Sequence, residues 1–116
     1  MYEIIMYSAE SGKISVKEYL NSLEPKLRTK TTKMIALLGE LGYTLREPYS
    51  KCLGNKIFEL RTQQGSNITR ILFFFVIGNK IVLTNGFTKK SQKTPVAEIE
   101  LAQRYKLDYE RRYCNV

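Results

Sequence analysis

Arg61 and Arg70 sit on two strand-like stretches joined by Gly65-Ser66, and Phe87 and Lys89 end a third that follows Gly78-Asn79. Both dipeptides suit two-residue hairpin loops, whose tight backbone favours glycine and asparagine. Loops there set Arg61 directly opposite Arg70, and Arg70 opposite Phe87. Side-chain alternation then puts Arg61, Arg70, Phe87 and Lys89 on one face of a sheet, together with Glu59 and Asn85. The opposite face takes Phe58, Leu60, Ile71, Phe73, Phe75 and Val82, a surface for helices to cover. Like charges facing each other across a strand pair cost on the order of ~0.2–1 kcal/mol. A bound phosphate would offset that cost. The other account is a surface ion-pair ladder, with Glu59 diagonal to Arg70 and neutralising it.

The segment Thr88-Lys89-Lys90-Ser91-Gln92-Lys93-Thr94-Pro95 brings three lysines, Lys89 among them, to the start of a helix. Free backbone N–H groups and the positive dipole end favour phosphate there, although a solvated basic loop has the same composition. Charge over the whole chain points the same way. Its 116 residues hold 19 Lys and Arg against 11 Asp and Glu, a formal net charge of +8, which suits an anionic partner or a merely basic surface. Histidine is absent, which excludes Ser-His-Asp and Cys-His catalysis, imidazole zinc sites and a histidine base. Cys52 and Cys114 cannot complete a structural zinc site between them and do not form a disulfide scaffold. Free thiols of a reducing cytosol are expected, with a single bridge as the other reading.

The elements that must position these residues follow from periodicity. One domain spanning residues 1–116 fits the length. Tyr2 to Tyr7 alternates as a short strand. Ser15-Val16-Lys17-Glu18 has capping-box spacing, and Val16, Tyr19, Leu20 and Leu23 then mark one buried helix face. Pro25 suits the first turn of a second helix, lined by Leu27, Met34, Ile35, Leu38 and Leu41 and ended by Gly42. Tyr43 to Asn55 reads as a loop. Strands follow over Ile57–Gln63, Asn67–Ile77 and Lys80–Thr88, and a last helix starts near Thr94-Pro95, acidic at Glu98 and Glu100 and basic at Arg111 and Arg112. The expected fold is α+β, in the order β-α-α-β-β-β-α, with helices packed on one face of an antiparallel or mixed sheet. Met1 to Tyr7 has no signal-peptide pattern, and the apolar run Ile71–Ile77 is far short of the ~20 residues a membrane helix needs. A soluble cytoplasmic protein is expected.

Lys51-Cys52-Leu53, Phe58-Glu59-Leu60-Arg61, Thr69-Arg70-Ile71-Leu72-Phe73-Phe74 and the Gly86-Phe87-Thr88 to Thr94-Pro95 close occur in that order. In a small basic chain this set resembles the RelE/ParE superfamily, and specifically the phage-derived HigB-like toxins of type II toxin–antitoxin modules. The resemblance runs from Tyr2 to about Arg112. It implies a RelE-like fold and an endoribonuclease, or mRNA interferase, that cleaves messenger RNA, often on the ribosome. It further implies cleavage without metal or other cofactor, and neutralisation by a cognate helix-turn-helix antitoxin in a toxin–antitoxin heteromer. The family's strand arginines map onto Arg61 and Arg70, and its basic segment onto Lys89, Lys90 and Lys93. Relatives with a catalytic Tyr or His near the sheet end differ from this chain, where Thr88 to Thr94 holds neither.

In that chemistry a ribose 2′-OH attacks the adjacent phosphodiester. Arginine stays protonated and cannot serve as base, so Arg61 and Arg70 are expected to clamp phosphate and stabilise transition-state charge. Crowding among cations brings a lysine toward proton transfer, and Lys89 or Lys90 is the first candidate. Lys51, Phe87 and Lys93 are the RNA-binding candidates. Phe87 offers a stack of ~1–3 kcal/mol on a splayed base, or simply packs the sheet end. Tyr105, Tyr109 and Tyr113 lie at helical spacing and read as packing residues. The same fold serves two other readings: a ParE-like toxin that inhibits DNA gyrase, and an inactive RNA- or ribosome-binding domain.

Overall fold

Ile71, Leu72, Phe73 and Phe74 are consecutive and all fully buried, so their strand must be covered on both faces. The computed structural model describes residues 1–88 and 93–114. In chain order its elements are β1 (Glu3–Met6), α1 (Ser15–Ser22), α2 (Pro25–Leu41), β2 (Ser50–Gly54), β3 (Ile57–Gln64), β4 (Asn67–Val76), β5 (Lys80–Thr88) and α3 (Val96–Tyr109). A 3-10 turn, Gly42–Thr44, follows α2, and a π-helical turn, Glu110–Cys114, follows α3. The strands form one mixed sheet in the order β1-β5-β4-β3-β2, with β1 parallel to β5 and the other pairs antiparallel. The fold is α+β, as the periodicity indicates. Among the described residues no helix is long and apolar enough to cross a membrane.

The helices divide between the two faces rather than sharing one. Val16, Leu20, Leu27, Ile35 and Leu38 of α1 and α2 pack on Leu60, Ile71, Phe73, Ile81 and Leu83. Ala102 and Tyr109 of α3 pack on Ile57, Leu72, Phe74 and Val82. The strand β2 lies inside the stretch expected to be a loop. Its Lys51 and Cys52 are exposed, so an edge strand held by backbone pairing to β3 carries no apolar alternation to read.

Two departures from ideal hairpins cancel. The β3–β4 turn is the expected Gly65-Ser66, since Gln64 pairs with Asn67. The β4–β5 turn instead spans Ile77, Gly78 and Asn79, because Val76 pairs with Lys80. That extra residue would shift the whole hairpin, but a β-bulge at Thr84 restores the register: Phe73 pairs with Leu83 and Leu72 with Asn85. Arg70 therefore still faces Phe87. Between turn and bulge every side chain is reversed, which moves Val82 from its expected place to the α3 face.

Caps also differ from the sequence pattern. Ser15 is the first residue of α1 and makes no side-chain cap bond there; its hydroxyl lies 3.0 Å from that of Tyr105. Pro95 precedes α3, again without a side-chain cap, since the Thr94 hydroxyl is used elsewhere. Gly42 does end α2, with φ of 52°, and a Cβ there would come within 2.0 Å of the Tyr2 ring.

Candidate functional site

Glu59 and Arg61 are two residues apart on β3 and so project from one face. Pairing sets Arg61 against Arg70 and Arg70 against Phe87, the juxtaposition the turn positions imply. Glu59 relieves the repulsion. Arg61 Nε donates to Glu59 Oε1 at 2.6 Å, and Arg70 Nη1 lies 3.7 Å from Glu59 Oε2. The Thr94 hydroxyl donates to Glu59 Oε2, and Arg70 Nη1 reaches Thr94 Oγ1 at 3.4 Å. The side chains of Glu59 and Arg70 are 0% exposed, whereas that of Arg61 is 20% exposed. The ladder foreseen for a solvated surface is thus a buried network, closed by Thr94, which is itself buried. Hydrogen bonds from both sides offset the cost of taking the carboxylate out of water.

The bulge helps to bring α3, and Thr94 just before it, to this place. The Thr84 hydroxyl lies 3.1 Å from the Leu72 carbonyl oxygen and 2.7 Å from Asn85 Oδ1. Asn85 Nδ2 then donates to Glu98 in the first turn of α3, at 3.2 Å to its carbonyl and 2.9 Å to Oε1. Asn85 thus ties the first turn of α3 to the register of β5, alongside the packing of α3 on Val82.

Of the expected site residues, Arg61, Arg70 and Phe87 form one row. Phe87 is half-buried and also packs against the α3-side core. Lys51 is exposed and pairs with Glu59 across β2 and β3, which places it on the same face. Lys93 is exposed beside Thr94. Lys89 and Lys90 lie outside the described residues. Arg70, expected with Arg61 to clamp phosphate, is completely buried, with Nη1 3.7 Å from Glu59 Oε2 and 3.4 Å from Thr94 Oγ1. Arg61 meanwhile borders a cleft of about 340 Å³ whose walls include Lys30, Met34, Tyr49 and Ile68. A partly exposed guanidinium oriented by a buried carboxylate can engage an anion.

Sequence reasoning missed two contributors. Thr94 bonds a carboxylate 35 positions away, which no local pattern reveals. Tyr49 falls in the expected loop; its membership of the cleft depends on β2 pairing with β3. The C-terminal tyrosines behave as packing groups, with Tyr105 stacked on Tyr7 at 4.3 Å and Tyr109 edge-on to Phe74 at 5.8 Å. Tyr113 is largely exposed. Burial, then the bond it donates to Asp108 Oδ2 at 2.5 Å, raises the pKa of the Tyr7 hydroxyl. The same bond, followed by Arg111 and Arg112, holds the Asp108 carboxyl below its ordinary range.

A comparison with curated proteins gives no match. The family described as "Phage derived protein Gp49-like (DUF891)" matches residues 18–106, a span that takes in α2, the four antiparallel strands and the whole Arg61–Glu59–Arg70–Thr94 network. With most of its length and all of its candidate site inside that match, the chain belongs to the Gp49-like family of phage-derived proteins.

Proposed function

We propose that this protein is a HigB-like toxin of the RelE/ParE superfamily, acting as a metal-independent endoribonuclease on messenger RNA and neutralised by a helix-turn-helix antitoxin. The observation that carries the reading is the partly exposed Arg61 guanidinium, held by a buried carboxylate on a strongly basic protein. Membership of a phage-derived family is compatible with a toxin.

In this reading a ribose 2′-OH attacks the neighbouring phosphorus in line, losing its proton to a base. A 2′,3′-cyclic phosphate forms, and the departing 5′-oxygen takes a proton from an acid. Arg61 meets the charge that builds on the phosphoryl oxygens, where a fixed donor acts most strongly. Arg70, behind Glu59, keeps that guanidinium in place. Proton transfer is assigned to Lys89 or Lys90. Lys51, on the same face as Glu59, and Lys93 hold the RNA backbone and stand in reserve for that role.

Expression of the chain alone tests the proposal. Growth arrest with rapid loss of transcripts and intact DNA is expected, with rescue by the antitoxin. Arrest with DNA damage and intact transcripts would replace it by gyrase inhibition. Normal growth at high soluble expression would overturn the toxin reading altogether.

A further inference from the structure

Beyond the last paired position of β2 and β3, Ser50 with Leu60, the Arg61 backbone N–H donates to the Tyr49 carbonyl at 2.8 Å. Tyr49 is thereby held beside Arg61 at the sheet edge, and both line the same cleft. Across the sheet the order becomes Tyr49, Arg61, Arg70, Phe87, with an aromatic ring at each end of two guanidinium groups. The Tyr49 side chain has no evident structural duty. The residue is 48% exposed, and among the described residues its ring meets no other aromatic and its hydroxyl makes no hydrogen bond. Lys30 also lines the cleft, with Nζ 2.5 Å from the Gln63 carbonyl oxygen.

We infer that the Tyr49 cleft is a nucleobase subsite. It takes one unpaired base of single-stranded RNA, stacked on the Tyr49 ring, next to the phosphate that Arg61 engages. The inference rests on the ribonuclease reading and adds a binding platform to it. The cleft volume fits so small an aromatic group. Its lining is also suited to a base, because Met34, Pro48 and Ile68 are apolar while Arg61 and Lys30 supply cations for the flanking phosphates. Stacking of this kind tolerates any base, since each has a π-face. The subsite therefore contributes affinity and orientation without strict sequence choice.

The test uses the full chain and a 2′-O-methyl RNA 10-mer, which cannot be cleaved, carrying 2-aminopurine at successive positions. Binding to the parent protein should quench the fluorescence at one position. Tyr49→Ala should abolish that quenching and weaken binding about 5- to 150-fold, the range spanned by loss of one base–aromatic stack. On cleavable RNA the same variant should raise KM more than it lowers kcat. Tyr49→Phe should retain both quenching and affinity. If Tyr49→Phe fails as badly as Tyr49→Ala while both melt like the parent, the hydroxyl and not the ring is at work, and the inference falls. It falls alone if the parent binds and cleaves RNA and Tyr49→Ala does the same. If the parent neither binds nor cleaves RNA, the ribonuclease reading falls and takes the subsite with it.

Discussion

Arg61 and Arg70 face each other and carry the same charge, yet their surroundings assign them different work. Arg61 keeps some solvent access but also holds the buried Glu59 at 2.6 Å. Arg61→Ala should therefore lower the melting temperature, because it removes one partner of that carboxylate. On the ribonuclease reading it should also lower RNA cleavage by about 10²–10³-fold, the usual cost of one preorganised charge contact. Arg61→Lys should recover little of this, because an ammonium cannot match the planar two-pronged contact with phosphate. Single-turnover cleavage beside a melting curve checks both. Arg70 lies wholly inside, against Glu59. Arg70→Ala leaves that carboxylate buried without one of its two cationic partners and should cost about 3–5 kcal/mol of stability. Adding Glu59→Gln to Arg70→Ala should recover part of the loss, and denaturant unfolding of the four proteins measures the coupling.

The strand β5 does more than complete the sheet. Its bulge at Thr84 sets Asn85 toward α3, and beyond the bulge Gly86 lies under the Tyr19 ring of α1. A Cβ at position 86 would come within 2.4 Å of Tyr19 Cδ2. Gly86→Ala should therefore push α1 off β5 and cost about 1–3 kcal/mol, as overpacking commonly does. Tyr19→Leu in the same chain should relieve the clash, because the ring atoms that collide are gone. If Gly86→Ala unfolds at the parental denaturant midpoint, α1 is not seated on β5 as described.

The two ends of the chain are joined through Asp108. It accepts from Tyr7 just after β1 and from Arg112, whose guanidinium also donates to the Ser8 carbonyl, while Arg111 spans Asp108 and Glu10. The folded carboxyl titrates lower than in the unfolded chain. Its contribution to stability is thus present above an unfolded value of about 3.9 and disappears as pH falls through the lower folded value. Asp108→Asn should be less stable than the parent near neutral pH, and the gap should close below about pH 4. Urea midpoints collected across pH 2–7 read this directly; a gap that stays constant would show that Asp108 acts through packing alone.

The order of helices and strands apart from β2, the basic character, the lack of histidine and the facing of Arg61 with Arg70 are all legible in residue types and spacing. Each depends on local rules of period, turn composition and charge. The pairing of Arg70 with Phe87 is also legible, although two unseen irregularities had to cancel to produce it. What spacing does not carry is depth. Burial of Glu59 and Arg70, the closing hydroxyl of Thr94 and the placing of Tyr49 in the Arg61 cleft all join segments far apart in sequence. Nor does spacing reveal that α3 covers the opposite face from α1 and α2, or that β2 exists, since an exposed edge strand has no apolar rhythm. Tertiary packing decided these points because burial and long-range hydrogen bonds depend on which surfaces meet, and that is settled only when the whole sheet and its three helices are assembled.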